Sequence, residues 1–403
     1  MLQSRWLKTS QTVALASLLS FGTQVVFALL MLRWFTPQEM GEFSVISQIA
    51  FFWMTLALAQ APLTLLANAQ QSPHYAAKLA WRDTLIRGIF LTPFVVLALW
   101  IGHINYLPAL AWVVAIAFFQ MTWMLSQSFV LRSGSTSQQV LVRILPPLVA
   151  AISITIGAGL SWDGPTLLAS ALLGYAVGAW SLSAAWHPSS PSNKASEIDL
   201  NATITQADKR SNRLRLFHTL LDALLATAIV VVWQRSYGTE ETGWLTALLR
   251  VLGFIPAVIH MAWAQVKLSH NIEQPNRNHE WHLGLLGCFA VLFLVAFGYL
   301  ALHQSWLSQH WLGTLKYLWP VAIWQSAACL SAAFSHRPFQ TNAETQFSWA
   351  CIGVAAVQAL ALLVPLAFPD RWDASDHIHL FAFISAIGLL LLSLWMARLK
   401  SNR

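Results

Sequence analysis

The feature that most constrains this chain is a succession of long apolar segments separated by short polar turns. A helix needs about 20 apolar residues to cross the hydrocarbon core of a membrane, and twelve segments of about that length occur. The sequence therefore predicts an all-α integral membrane protein with about twelve transmembrane helices. We expect them at 12–32, 43–66, 86–102, 107–130, 139–160, 165–186, 216–234, 243–264, 282–302, 317–334, 347–368 and 378–396.

The scarcity of charge agrees with this class. Charged residues make up 10% of the 403 residues, against roughly 25% in soluble domains. Met1–Ser10 carries Arg5 and Lys8 without a cleavage site, so we expect the first segment to be retained as an anchor. The net charge of +7 falls mainly at segment ends. Without a basic run interleaved with aromatic residues, it indicates membrane orientation rather than nucleic-acid binding.

Lys and Arg in the loops predict the orientation of the chain. With a cytoplasmic N-terminus, 18 of the 23 basic residues lie on the cytoplasmic side. Four lie outside (Arg33, Arg235, Lys316 and Arg371), and Arg250 lies within a segment. We therefore expect both termini in the cytoplasm.

The longest polar stretch, His187–Arg215, separates six apolar segments from another six. It contains two prolines, several serines and five basic residues, a composition typical of a linker. We predict a cytoplasmic linker at 187–215 between an N-terminal lobe, 1–186, and a C-terminal lobe, 216–403.

Two sequence matches suggest that the lobes are repeats. The turn Arg33–Ser44 aligns without a gap with Arg235–Thr246, 202 residues later, and Phe129–Arg132 resembles Phe334–Arg337 at a spacing of 205. In the first turn, Thr36 followed by Pro37 and Glu39 is typical of a helix start with a capping box. Because both repeats begin in the cytoplasm, a pseudo-two-fold axis along the membrane normal is expected.

Ionisable residues inside apolar segments mark candidate sites, because burying them in lipid is costly. Asp222 lies in the seventh segment with His218 one turn before it, and Arg250 lies in the eighth. Small and polar residues of the eighth segment recur at intervals that place them on one helical face. They are Gly243, Thr246, Arg250, Gly253, Ala257 and His260. We expect this face to contact protein or a watery cavity.

Three interpretations of Arg250 and Asp222 stay open at this point. The two side chains pair and hold adjacent helices together, at least one of them lines a solvated cavity, or they snorkel to the membrane surface. Asp222 is six residues from the inner end of its segment and Arg250 about fourteen. At 1.5 Å per residue their heights differ by about 12 Å, which favours the cavity.

Other residue types receive structural interpretations. Tryptophans near segment ends, such as Trp100, Trp233, Trp306 and Trp311, are expected in an interfacial belt. Prolines inside segments predict kinks. The three cysteines, Cys288, Cys329 and Cys351, lack metal-ligand spacing, so we predict apolar packing and no metal site.

The first 65 residues resemble the start of the polysaccharide flippase family, relatives of the O-antigen exporters. That family belongs to the superfamily of multidrug, oligosaccharidyl-lipid and polysaccharide exporters. The resemblance is carried by Leu29–Arg33, by the turn Phe35–Ser44 with the apolar segment after it, and by Arg132. The twelve expected segments, two six-helix lobes and central cytoplasmic loop agree with it across the chain.

The resemblance implies a flippase of the bacterial cytoplasmic (inner) membrane rather than an enzyme. It implies export of a polyprenyl-pyrophosphate-linked oligosaccharide, such as an O-antigen unit for lipopolysaccharide, by alternating access of a cationic cavity. The implied partners are a coupling ion (proton or sodium), a polysaccharide polymerase and a chain-length regulator, with no cofactor. From their positions, we predict Arg250, Gln48, His260 and Gln24 as substrate ligands and Asp222 with His218 as the ion-coupling pair.

Rival functions fit the sequence less well. A multidrug exporter of the same superfamily shares the architecture, but acidic cavity residues are expected in its N-terminal lobe, and the first two segments contain none beyond the turn. A membrane glycosyltransferase or polymerase usually needs a large outer loop or paired acidic residues. The longest outer loop here, about His303–Lys316, has no carboxylate. A purely structural membrane subunit is the remaining alternative.

Overall fold

The computed structural model describes residues 19–20, 22–59, 61–67, 72–104, 106–160, 165–181, 183, 206–260, 277–341, 343–368 and 371–399. Every regular element within those residues is a helix. Residues 1–18, which include the start of the predicted anchor segment 12–32, and residues 187–205 of the predicted linker lie outside them.

The helices follow one another through short turns. In chain order they are α1 (Gly22–Trp34), α2 (Pro37–Leu58), α3 (Ala61–Ala67), α4 (Pro73–Ile101), α5 (Tyr106–Ser133), α6 (Thr136–Gly159), α7 (Thr166–Trp180), α8 (Gln206–Tyr237), α9 (Thr239–Ile259), α10 (Arg277–His303), a 3₁₀ helix (Gln309–Thr314), α11 (Leu315–Phe334), α12 (Arg337–Gln340), α13 (Glu344–Ala367) and α14 (Ala374–Arg398).

Nine helices in the described part of the chain are long and apolar enough to cross a membrane: α2, α4, α5, α6, α8, α9, α10, α13 and α14. Two shorter apolar helices, α1 and α7, also occur there. The chain is therefore a multi-pass, all-helical membrane protein. The sequence predicts about twelve spans, whereas nine described helices are long and apolar enough. Part of the difference arises because α7 is shorter than expected and because residues 12–18 fall outside the described part.

Three expected boundaries are wrong. The second segment is interrupted, since α2 ends at Leu58 and Ala59 has a φ of 47° before α3 begins. The third helix begins at Pro73 rather than residue 86, with Ser72 accepting a hydrogen bond from the Tyr75 amide. The helix that contains the seventh predicted span begins at Gln206, so the last ten residues of the predicted linker are helical, while its apolar span is Leu220–Tyr237.

Prolines inside or at the start of these helices free backbone carbonyls, because proline has no N–H for the carbonyl four residues earlier. Neighbouring side chains donate to several of them. The Val142 carbonyl, freed by Pro146, accepts from Trp123 Nε1 at 2.8 Å, and the Arg143 carbonyl, freed by Pro147, accepts from Ser20 Oγ at 2.9 Å.

The same device recurs elsewhere. Pro62 has no N–H to donate to the Leu58 carbonyl, and this carbonyl accepts instead from the Arg87 guanidinium at 3.3 Å. The Ala361 carbonyl, freed by Pro365, lies 3.2 Å from His377 Nε2. These bonds satisfy polar groups that would otherwise be costly to bury in an apolar environment.

The chain divides into two compact units, each described here by itself. Unit 1 comprises Met1–Trp34 and Val45–Gln206, and unit 2 comprises Phe35–Ser44 and Ala207–Arg403. In unit 1, α5 packs against α3, α4, α6 and α7. In unit 2, α11 is the central helix and packs against α9, α10 and α14.

The core of unit 2 contains two tryptophans that the sequence places in an interfacial belt. Trp233 and Trp311 are almost completely buried, and Trp233 Nε1 donates to the Tyr317 hydroxyl at 3.2 Å. The belt interpretation is wrong for these two because their rings pack inside the protein. Trp100 and Trp306, by contrast, are exposed on the protein surface.

The starts of α2 and α9 pack closely against each other within unit 2. The capping box is confirmed: the Thr36 amide donates to Glu39 Oε2 at 2.7 Å, and the Glu39 amide donates to Thr36 Oγ1 at 3.3 Å. A Cβ on Gly41 would overlap the Thr239 carbonyl, and a Cβ on Gly243 would overlap the Pro37 carbonyl. Both glycines are therefore needed for this approach of the two backbones.

Candidate functional site

The structure brings His218 and Asp222 together on α8. His218 Nε2 lies 3.2 Å from Asp222 Oδ2, and 59% of the Asp222 side chain is exposed. The His218 ring also makes an edge contact with Phe347 of α13, with 5.9 Å between ring centroids. The pair is thus an accessible carboxylate held by an adjacent imidazole, a group that can take up and release a cation or proton.

Arg250 lies on α9, partly buried, with its guanidinium carbon 4.7 Å from the centroid of the Phe43 ring. Phe43 is itself buried. A cation over an aromatic face is stabilised by the ring quadrupole, more so where water is excluded. Asp222 pairs with His218, and the three interpretations of Arg250 stay predictions.

The other predicted ligands have separate environments. His260 Nδ1, at the end of α9, lies 2.9 Å from Ser335 Oγ. Gln24 Nε2 donates to Ser20 Oγ at 3.5 Å, a long contact within α1. Gln48 is partly buried on α2. Gln24 and Gln48 belong to unit 1, whereas Arg250, His260, His218 and Asp222 belong to unit 2.

Sequence reasoning missed a cluster of three buried ionisable side chains in unit 2. Glu280 of α10 and His336 are fully buried, and Arg337 of α12 is 3% exposed. His336 Nε2 lies 2.9 Å from Glu280 Oε1, while the Arg337 guanidinium pairs with Glu280 Oε2. Arg337 also donates to the Ala397 carbonyl at 3.0 Å. We call these three residues the ion cluster.

Helix ends explain why these residue types are tolerated without water. Glu280 lies in the first turn of α10, where a carboxylate is favoured, and Arg337 meets a carbonyl in the last turn of α14, where a cation is favoured. Phe334 packs its ring against Trp281, which closes one side of the cluster. The sequence signal was weak, because Glu280 and His336 are 56 positions apart.

A second polar group was also missed, at the start of α9. Glu241 Oε1 lies 2.5 Å from Lys316 Nζ, and Glu241 Oε2 accepts from the Tyr317 hydroxyl. The buried His377 ring stacks on Trp233 at 4.5 Å. Hydrogen bonds and ring stacking thus connect helices α8, α9, α11 and α14 at one end of unit 2.

Neither the family models nor the curated proteins that were searched give a match by sequence. Solved structures do match in fold. The lipid II flippase MurJ in an inward closed conformation is similar with a TM-score of 0.60 and 14% identity, over 96% of this chain and 86% of that chain.

Two multidrug transporters are similar over nearly their whole length. An inward-facing MATE family transporter of the MOP superfamily has a TM-score of 0.54 and 13% identity, over 94% of this chain and 93% of that chain. The MATE multidrug transporter DinF-BH has a TM-score of 0.56 and 10% identity, over 97% of this chain and 96% of that chain. The fold of this chain is that of these membrane transporters.

Proposed function

We propose that this protein is an exporter of the MOP superfamily that flips a polyprenyl-pyrophosphate-linked oligosaccharide across the cytoplasmic membrane by alternating access. The fold similarity to membrane transporters, one of them a lipid II flippase, supports the general class. The observation that carries the choice of an anionic lipid substrate is Arg250, a guanidinium placed well inside an apolar helix.

The chemistry of such a substrate matches an intramembrane guanidinium. A pyrophosphate cannot cross hydrocarbon unaided, and arginine binds phosphate oxygens through paired, charge-assisted hydrogen bonds. The guanidinium carbon of Arg250 lies 4.7 Å from the centroid of the Phe43 ring, so the cation is held over an aromatic face. In this proposal Arg250 contacts the pyrophosphate, and His260, Gln48 and Gln24 offer polar groups to the sugars.

The pair Asp222 and His218 is the proposed ion-coupling group. An exposed carboxylate beside an imidazole binds a proton or sodium ion more readily than a carboxylate locked in a salt bridge. We propose that its occupancy drives the export cycle. The surface polysaccharide role, the polymerase and chain-length partners, and the inner-membrane location with both termini cytoplasmic belong to the same proposal.

A multidrug exporter is the second candidate, favoured by the similarity to two multidrug transporters. In the described parts of α1 and α2, however, carboxylates occur only at Glu39 and Glu42, near the start of α2. Glu39 is engaged in the capping box. A cationic drug would therefore find little negative charge on these two helices.

Reconstitution of the full chain in proteoliposomes tests the proposal. Transfer of a fluorescent polyprenyl-pyrophosphate disaccharide between leaflets is measured with an impermeant quencher. Arg250→Ala should slow transfer by about tenfold or more, since hydrogen bonds to charged groups contribute roughly 1.5–3 kcal/mol, and Arg250→Lys should fall between. Arg371→Ala, at a loop cation beside Phe368, is the matched control and should stay within about twofold.

The same transfer assay distinguishes the substrate-binding role of Arg250 from the ion-coupling role of Asp222. Asp222→Asn should remove the dependence of transfer on a proton or sodium gradient while leaving substrate binding intact. Normal lipid transfer in Arg250→Ala rules out the substrate assignment. Efflux of a fluorescent cationic dye without lipid transfer by the unaltered protein supports the multidrug alternative instead.

A further inference from the structure

The ion cluster of Glu280, His336 and Arg337 is outside the proposed transport residues, and its protonation is not fixed by its contacts. His336 Nε2 faces Glu280 Oε1 at 2.9 Å, and an ionised carboxylate only accepts, so the proton of a neutral His336 sits on Nε2. The other ring nitrogen, Nδ1, then carries a free lone pair. It is buried and has no hydrogen-bond partner among the described residues.

The charges around His336 do not oppose the addition of a proton to its ring. Glu280 and Arg337 together are neutral when both are ionised. His336 follows the C-terminal end of α11, where the helix dipole favours a cation. Among the described residues, His260 of α9, which bonds the adjacent Ser335, and Arg398 in the last turn of α14 are further ionisable groups near this corner.

We propose that the ion cluster is a proton-binding site, in which His336 Nδ1 takes a proton from water and Arg337 transmits the change to the end of α14. The inference applies whichever solute the protein moves.

Protonation of His336 has a structural consequence that follows from the contacts of the ion cluster. A protonated Nδ1 needs an acceptor, and the closed cluster offers none among the described residues. An unpaired buried donor is costly, so protonation favours an arrangement in which Nδ1 reaches water or a new acceptor. Arg337 shares Glu280 with His336 and also holds the Ala397 carbonyl. Opening the corner therefore weakens the last turn of α14.

This site differs from the pair Asp222 and His218. That carboxylate is 59% exposed. In the ion cluster, both the carboxylate and the imidazole are fully buried. Proton binding there requires a change in structure, which is the property of a switch.

Histidine NMR and hydrogen exchange on the full-length protein in nanodiscs test the inference. In protein labelled at the histidine ring nitrogens, the signal that is absent from His336→Gln should report protonation of Nδ1 when the pH is lowered from about 7.5 to about 5.5. Glutamine retains an N–H for Glu280 but does not titrate. His377→Gln is the matched control, because His377 is also buried but its Nε2 meets a backbone carbonyl rather than a carboxylate.

Hydrogen exchange reads out the coupling to α14. After correction for intrinsic rates, amides around Met396–Leu399 should exchange about fivefold faster at pH 5.5 than at pH 7.5 in the unaltered protein. The difference should vanish in His336→Gln and persist in His377→Gln.

Two results overturn the proposal. One is a His336 signal that stays neutral throughout this range. The other is an exchange rate at the end of α14 that is independent of pH in the unaltered protein, a test that holds even if the variant fails to fold.

Discussion

Two corners of the molecule, one at the end of α5 in unit 1 and one after α11 in unit 2, share an arginine that donates to a backbone carbonyl and differ in the residues around it. Arg132 donates to the Leu65 carbonyl at 2.8 Å, and Arg337 donates to the Ala397 carbonyl at 3.0 Å. Each is preceded by a phenylalanine packed edge-on against another ring, Phe129 on His74 and Phe334 on Trp281.

The difference lies in the residues that accompany these arginines. At a spacing of 205, Glu280 and His336 of unit 2 correspond to Tyr75 and Leu131 of unit 1. Tyr75 is 60% exposed, whereas Glu280 is fully buried. The comparison teaches that the two corners carry different residue types at the matched position, a buried carboxylate in unit 2 and an exposed tyrosine ring in unit 1.

The largest loss of stability is expected when the ion cluster of unit 2 is disrupted. Glu280→Ala leaves Arg337 buried without its counter-ion, and removing one partner of a buried ion pair costs about 3–5 kcal/mol. Thermal unfolding of the detergent-purified protein, followed by tryptophan fluorescence, should show a large loss of stability. Tyr75→Ala, the corresponding change in unit 1, should alter stability by less than about 0.5 kcal/mol. Equal effects would show that the two corners do not differ as described.

An intermediate effect tests whether unit 1 depends on uncharged hydrogen bonds instead. Trp123→Phe keeps a ring but leaves the Val142 carbonyl without its donor, at a cost of about 1–3 kcal/mol. Adding Pro146→Ala restores a backbone N–H at the position that would serve this carbonyl. The double variant should recover most of the loss in the same unfolding assay. Full additivity of the two changes would mean that Trp123 acts through packing alone.

The smallest expected effect concerns the two turns that the sequence aligns, Arg33–Ser44 and Arg235–Thr246. Thr36→Ala removes the capping box of α2 and should cost about 1 kcal/mol. Thr155→Ala, whose hydroxyl only bonds a carbonyl within its own helix, is the control. A loss in Thr36→Ala no larger than in the control would indicate that packing, and not the cap, holds the start of α2.

The aligned turns are less alike than their sequences suggest. Glu39 closes a cap within its own helix, while the corresponding Glu241 pairs with Lys316 and Tyr317 of α11. At the position that matches Thr36, α9 has Gly238, with a φ of 89° and no side-chain cap. A sequence match at 202 residues thus predicted two helix starts correctly and did not predict their different partners.

Local signals in the sequence predicted what depends on neighbours in the chain. The capping box at Thr36 and Glu39 is such a case. Hydropathy predicted where the apolar segments lie but not where the helices begin, because α4 and α8 continue as helices beyond their apolar parts. The break after Leu58 followed from Pro62, which hydropathy alone does not detect.

The candidate site was predicted only in part, for a physical reason. His218 and Asp222 are one helical turn apart, so their contact follows from the periodicity of a helix. The stacking of Arg250 on Phe43 and the ion cluster join residues far apart in the chain. Such contacts are set by how helices pack, which no local pattern specifies. The assigned roles of Arg250, Gln48, His260, Gln24, Asp222 and His218 remain predictions.

Gly41 and Gly243 also bear on how this sequence can be aligned with others. At the 10% to 14% identity found with the similar structures, few positions can anchor an alignment. A position where a backbone carbonyl occupies the place of a Cβ admits one residue type, however far its surroundings drift. Two such positions act as fixed coordinates for aligning diverged sequences. They are expected to persist after the apolar residues around them have been exchanged many times.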